Sequence, residues 1–186
     1  MRNAFLALHL ITNTIMIRVF ISVLAIFCFL GHYKPNAYDY PKAVPEDFSV
    51  SLTWNCYGVS SYESKTGKLI KTTDATHPDN YVTYYQLTDA DKAYIYNLIV
   101  SMDIFSYPDV YNPQEDMRCT PPETLILKVT TNGISKEIKA EDIPGTYFTS
   151  KSKKGQKFLS TCQAIITRLE ETEEWKALPE FEFLYE

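Results

Sequence analysis

Histidine is the scarcest catalytic residue type in this chain: residues 38–186 contain His77 alone, set between Thr76 and Pro78. A Ser-His-Asp triad would have to be built on that one imidazole in a turn, and a zinc site of the His-rich kind needs more of them. Cysteine is nearly as sparse. After Cys28 come Cys56, Cys119 and Cys162, none in the CxxC spacing of a redox or metal pair. Cys162 falls on an apolar helical stripe and reads as a small core residue. Cys56 closes one strand and Cys119 precedes another. Where those strand ends adjoin in an oxidising compartment, the two can form a disulfide, Cys56 to Cys119, contributing about 3 kcal/mol. Cys56 or Cys119 with His77 is the one nucleophile pairing this composition allows.

Other groupings carry less chemistry. Asp109, Asn112, Glu115 and Asp116 offer oxygen ligands for calcium but lack the order of an EF-hand loop, so they read as solvated. Thr66-Gly67-Lys68 looks like the tail of a phosphate-binding loop, yet Gly58 stands nine residues before Gly67, too far for that motif, and Leu69 replaces the required Ser or Thr. Lys151, Lys153, Lys154 and Lys157 form a basic loop ahead of a helix, read as solvated, with an anionic polymer or lipid headgroup as the alternative occupant. No catalytic residue, metal set or cofactor emerges. Recognition is better served, because the chain has 14 tyrosines, more than its core stripes can use. Tyr84 and Tyr85 are neighbours on a strand and point to opposite faces, so one faces outward. With Tyr107 and Tyr111 of a long loop, they are the candidate ligand-binding residues, since a tyrosine ring supplies contact area and its hydroxyl a hydrogen bond.

The elements that would position these residues follow from periodicity. In Glu123 to Ala140 the dipeptide Asn132-Gly133 favours a two-residue type I′ turn, which needs φ > 0 at both positions. Folding back on it pairs Val129 with Lys136, Leu127 with Ile138 and Leu125 with Ala140 on an apolar face. The polar face pairs Thr130 with Ser135, Lys128 with Glu137 and Ile126 with Lys139. A slip of one residue would expose the apolar face, and a lone hairpin is marginal in water, so other strands and a helix must cover it.

Phe48, Val50, Leu52 and Trp54 alternate with polar residues as a half-buried strand. Val59 to Glu63 and Lys68 to Thr73 flank the turn Ser64-Lys65-Thr66-Gly67, and Tyr81 to Leu87 is a further strand. Thr88 caps a helix, with Asp91 completing a capping box and Ile95, Leu98, Ile99 and Met102 forming its stripe. Asp103 to Pro122 is a long connection with four prolines and no periodicity, a type of loop that is often functional. A second helix buries Phe158, Cys162, Ile165 and Leu169, flanked by Leu159 and Ile166. Thr172 opens a last helical turn, and Phe181, Phe183 and Tyr185 alternate as an edge strand. The fold expected is α+β: an open antiparallel sheet of five or six strands with two helices on one face.

Residues 1–31 contain no acid. With a start at Met16, Val19 to Leu30 is a 12-residue apolar run of signal-peptide length; with a start at Met1, residues 4–30 suit an uncleaved anchor. Residues 1–37 are therefore a signal peptide or N-terminal membrane anchor, 38–47 a linker with two prolines, and 48–186 a single domain. Arg2, Arg18 and Lys34 are three of the 18 basic residues, so residues 38–186 hold 15 against 23 acids, a net charge of −8. An acidic domain without a basic stripe argues against nucleic acid.

The run Ser61-Tyr62-Glu63-Ser64-Lys65-Thr66-Gly67-Lys68-Leu69, with the closing Thr172-Glu173-Glu174-Trp175-Lys176-Ala177-Leu178-Pro179, resembles uncharacterised exported bacterial proteins whose domain has the order hairpin, helix, hairpin, helix. The resemblance covers about 48–186 and implies no activity. The sequence thus leads to a non-catalytic binding module at the cell envelope, exported and either secreted or held at the outer face of the cytoplasmic membrane. Its expected partner is an envelope protein or surface polymer, bound through the open sheet face and the 103–122 loop. The alternatives are an envelope enzyme using a Cys nucleophile and a purely structural domain.

Overall fold

The computed structural model describes residues 38–56, 60–72, 81–114, 122–143 and 150–180. Six strands form one antiparallel sheet: β1 (Ser49–Trp54), β2 (Ser60–Glu63), β3 (Lys68–Lys71), β4 (Tyr81–Tyr84), β5 (Glu123–Thr131) and β6 (Ile134–Ile143). Their order is β4-β3-β2-β1-β5-β6, which places β1 between β2 and β5. Helices α1 (Asp89–Met102) and α2 (Lys153–Glu170) and the short α3 (Glu173–Lys176) complete the domain. The fold is α+β, with an open antiparallel sheet and two main helices, as the periodicities predict.

The β5-β6 hairpin has the register expected from its turn, from Thr130 opposite Ser135 to Leu125 opposite Ala140. Asn132 and Gly133 both take positive φ, 50° and 75°, as the type I′ turn demands. The Asp47 carboxylate accepts from both turn N–H groups, at 2.9 Å from Asn132 and 2.6 Å from Gly133, and these bonds hold its carboxyl below the usual carboxylate range.

One sheet face carries Val50, Leu52, Trp54, Tyr62, Leu69, Leu125, Leu127, Val129, Ile138 and Ala140, all buried in one core with the helices. Helix α1 contributes Ile95, Ile99 and Met102, and α2 contributes Phe158, Leu159, Cys162, Ile165, Ile166 and Leu169. Leu98 is only half-buried, and Tyr96 is buried in its place. Tyr96 also donates to the Pro41 carbonyl at 2.7 Å.

Three segments depart from expectation. Residues 38–47 do not behave as a linker. Tyr38 and Tyr40 stack on Phe105, with ring centroids 4.1 and 5.8 Å away. Tyr38 donates to the Thr131 carbonyl and Tyr40 to Asp103, so aromatic area and tyrosine hydroxyls bind this stretch into the same compact unit as the domain. The basic loop is largely helical. Ser152 caps α2 through the Gly155 N–H, which puts Lys153, Lys154 and Lys157 on the helix itself.

The third departure concerns the long connection. Its described part, residues 103–114, turns through a 3₁₀ segment at Ile104–Ser106 and then runs parallel to β6. Lys139 N–H donates to the Asp109 carbonyl at 2.7 Å and Tyr111 N–H to the Lys139 carbonyl at 2.9 Å. Lys136 pairs with the Asp109 carboxylate. The segment thereby satisfies backbone groups at a sheet edge that would otherwise invite pairing with another chain. Gly155 lets it approach α2: a Cβ there would lie 2.1 Å from Ser150 Oγ and 2.9 Å from the Pro113 carbonyl. The expected strand at Phe181, Phe183 and Tyr185 lies outside the described residues, as does the expected signal peptide or anchor over 1–37.

Two glycines with φ near +75° allow a contrast. At Gly133 a Cβ would meet nothing within 4 Å, whereas at Gly67 it would meet Gln86 Nε2 at 2.5 Å and the Tyr85 carbonyl at 2.8 Å. Gly133→Ala is expected to cost only the left-handed strain, about 1 kcal/mol, and Gly67→Ala about 2–3 kcal/mol because backbone must shift as well. Urea unfolding of the two variants checks the order; equal losses would show that the Gly67 contacts relax freely.

Candidate functional site

The face away from the helices is formed by the alternate residues of every strand. The first row across it runs Tyr84, Lys68, Glu63, Ser51, Lys128, Glu137, each opposite the next in register. The adjoining row runs Val82, Ile70, Ser61, Thr53, Ile126, Lys139. Tyr84 is 64% exposed and Val82 43%, two large residues on the same face of the edge strand β4. Where β1, β2 and β5 meet, Ser49, Ser51, Glu63, Lys65, Lys128 and Thr130 line a shallow cleft of about 180 Å³. Hydroxyl, ammonium and carboxylate groups sit side by side there, suited to hydrogen bonding a polar ligand. Lys128 and Glu137 approach to 3.9 Å with both side chains about half exposed, and Thr130 and Ser135 share a hydrogen bond of 2.9 Å.

Of the four candidate tyrosines, Tyr84 has its ring in solvent. Tyr85 points to the opposite face, as strand alternation requires, and donates to Asp91 at 2.6 Å. Burial and that hydrogen bond push its hydroxyl up to about 12. Tyr107 is 3% exposed, donates to the Lys154 carbonyl at 2.9 Å and stacks on Phe158; burial, reinforced by Tyr111, raises its hydroxyl to about 12. Tyr111 packs edge-on against both Tyr107 and Phe158. Tyr85, Tyr107 and Tyr111 therefore serve the interior, whereas the 108–110 stretch of the same loop is exposed. Lys154 is likewise engaged, donating to the Ser106 carbonyl at 2.6 Å and lying 4.5 Å from the Tyr107 ring centroid.

The sequence did not single out the network around Asp91. This carboxylate is 0% exposed and accepts from Thr88 N–H, Thr88 Oγ1, Tyr85 Oη and Arg168 Nε. Arg168 Nη2 lies 2.6 Å away as well. Burial alone would raise its carboxyl, but the bonds from Thr88, Tyr85 and Arg168 outweigh it and hold the carboxyl at about 2. With every donor committed to one acid, this is an architectural ion pair between α1 and α2. The capping box signalled Asp91; nothing in the sequence signalled its partner Arg168.

At the other end of the sheet, Cys56 pairs with Glu123 in an isolated bridge, and Thr124 N–H donates to the Asn55 carbonyl at 3.2 Å. The end of β1 and the start of β5 therefore adjoin, which was the condition set for the disulfide; Cys119 itself lies outside the described residues. His77, Glu115 and Asp116 lie outside them too. Burial raises the Glu123 carboxyl and the Cys162 thiol, and Cys162 is fully enclosed, so that thiol has no access to substrate. Lys71, on the helix side, lies 5.1 Å from the Trp175 ring centroid, and burial raises the Glu170 carboxyl nearby.

No protein-family profile, no curated protein and no solved structure matches this chain. Its function has to be argued from the site. Among the described residues, no group of three or more His, Cys, Asp or Glu side chains is placed to hold a metal ion, and no helix is long and apolar enough to cross a membrane.

Proposed function

We propose that this chain is a non-catalytic binding module of the bacterial cell envelope, exported and then secreted or anchored through its N-terminal segment. The open sheet face would receive an envelope protein or surface polymer. The observation that carries the reading is Tyr84, a large aromatic ring 64% exposed on a strand beside half-exposed Val82, on the same face as a cleft of hydroxyl, ammonium and carboxylate groups that begins two strands away at Glu63. Exposed aromatic area and a polar cleft on one sheet face make up the composition of a recognition surface, where the ring provides contact area and the polar groups orientation. The acid-free apolar N-terminal run supports export, and the resemblance to exported bacterial proteins points the same way.

The test is retention of a partner by the full chain captured from a detergent extract of its own envelope. Tyr84→Ala is expected to reduce what is retained about tenfold, the order of effect of a central aromatic contact. Tyr94→Ala, on α1 and 46% exposed, serves as the control and is expected to leave it unchanged. Equal retention by both variants would remove the sheet face as the binding surface.

A further inference from the structure

The charged row of the open face is complementary to its own reversal. Centred on Ser51 of β1, the charged row reads Lys68, Glu63, Ser51, Lys128, Glu137. Its signs are plus, minus, neutral, plus, minus; reversed, they are minus, plus, neutral, minus, plus. A second copy turned by a two-fold axis running along β1 between two such faces presents that reversed row. Lys68 then meets Glu137 of the second copy, Glu63 meets Lys128, and by symmetry each contact occurs twice. Ser51 meets itself on the axis. Four opposite-charge contacts form and no like charges are brought together in this row.

The adjoining row obeys the same axis. The segment covering the β6 edge extends it, because Val110 bridges in parallel with Lys139 and paired residues share a face. The row becomes Val82, Ile70, Ser61, Thr53, Ile126, Lys139, Val110, with Thr53 at its centre. Reversed, Val82 of one copy meets Val110 of the other at both rims. These two valines are 43% and 76% exposed, among the most exposed large apolar residues described. Lys139 faces the position of Ile70, itself only 9% exposed and so offering little area, and Ser61 meets Ile126, so this row also brings no like charges together.

We infer that the open sheet face docks on the same face of a second copy of this chain, about a two-fold axis through Ser51 and Thr53. Sheets packed face to face lie about 10 Å apart with strands within about 30° of each other, a gap that extended Lys and Glu side chains span from both sides. Seven strand positions at about 4.8 Å spacing make the face roughly 29 Å wide. With two rows of side chains it would bury on the order of 900 Å² in total, the size of a weak, reversible association. The inference rests on the reading of this face as a binding surface and names its occupant.

The test is sedimentation velocity of the full chain in mild detergent over a concentration series. A monomer-dimer equilibrium is expected, shifting to monomer as salt rises, because its charges lie at the surface. Glu63→Lys sets two lysine pairs against each other across the axis and is expected to weaken the dimer at least tenfold. Adding Lys128→Glu restores the opposite signs and is expected to recover dimerisation to within about threefold. Ser51→Asp places two carboxylates on the axis and is expected to abolish the dimer; within the chain it sits between Glu63 and Lys128, one neighbour of each sign, so the monomer's unfolding midpoint is expected to change little. A chain monomeric at every concentration overturns the inference. So does a dimer indifferent to these charges, or one that the double variant fails to restore. Tyr84 lies outside the four charged contacts, so failure here leaves the Tyr84→Ala capture result to decide the binding reading by itself.

Discussion

Asp91→Ala is expected to lower the unfolding free energy by about 3–4 kcal/mol, the largest effect of any single polar substitution in the domain. The carboxylate is fully buried and binds the start of α1, Tyr85 after β4 and Arg168 near the end of α2. Removing it takes the shared acceptor away from half-buried Tyr85, exposed Thr88 and Arg168 and frees the helix N-terminus from its capping box. The loss stays at the lower end of the range for buried ion pairs because the Arg168 side chain is 46% exposed and can rehydrate. Arg168→Met is expected to cost less, about 2 kcal/mol, since Asp91 keeps its Thr88 and Tyr85 donors. Urea unfolding measures both, and an Asp91→Ala loss below that of Arg168→Met would overturn this account.

The same network sets an acid limit. The Asp91 carboxyl is held at about 2, against an ordinary 3.8. A native value below the unfolded one means that the unfolded chain binds the proton more readily. The associated stability, about 2 kcal/mol, is therefore fully present above about pH 4 and lost as the pH falls towards 2. In Arg168→Met the native value rises towards the ordinary one, so the variant is expected to lose less additional stability over that window than wild type. Unfolding midpoints at pH 5 and pH 2.5 would show it.

Phe158→Ala is expected to cost about 3–5 kcal/mol and to do so with a local signature. Its ring is 0% exposed and stands 5.9 Å from Tyr107 and 5.7 Å from Tyr111 by centroids, so it joins α2 to the segment that covers the β6 edge. Loss of the ring should loosen that cover as well as the core. The amides of Tyr111 and Lys139, which bond across the covered edge, should exchange faster relative to the rest of β6. Leu127→Ala, equally buried between β1 and β6, should cost about 2–5 kcal/mol without that selective loss. Uniform acceleration in both variants would indicate that the edge segment unfolds only with the whole domain.

The hairpin register, the turn at Asn132-Gly133, the strand over 49–54, the capping box at Thr88 and the buried stripe of α2 could all be read in the sequence. Each is set within a few residues: φ > 0 selects Asn-Gly, alternation selects a half-buried strand, and the spacing of Phe158, Cys162, Ile165 and Leu169 selects one face of a helix. The packing of residues 38–47 and 103–114 was not legible because prolines and lost periodicity describe local backbone but not what that backbone lies on. Tyr38, Tyr40, Tyr107 and Tyr111 earn their burial from partners such as Phe105, Phe158 and the Lys154 carbonyl, most of them tens of residues away.

The candidate site divides the same way. Strand alternation sufficed to say that Tyr84 and Tyr85 face opposite ways, because the side-chain period of a strand is two. Which of them is inside depended on Asp91 and Arg168 lying under β4. The pairing of β1 with β5 was likewise decided by the tertiary structure, since strands joined by short turns choose neighbours locally whereas β1 and β5 meet only after the chain has passed through β2, β3, β4 and α1. That single pairing aligns Glu63, Ser51 and Lys128 in one row and places opposite charges at matching positions either side of β1. The sequence by itself determined the local elements and their apolar faces, where neighbours in the chain are neighbours in energy; the order of strands, and with it the open face, came from burying those apolar faces together.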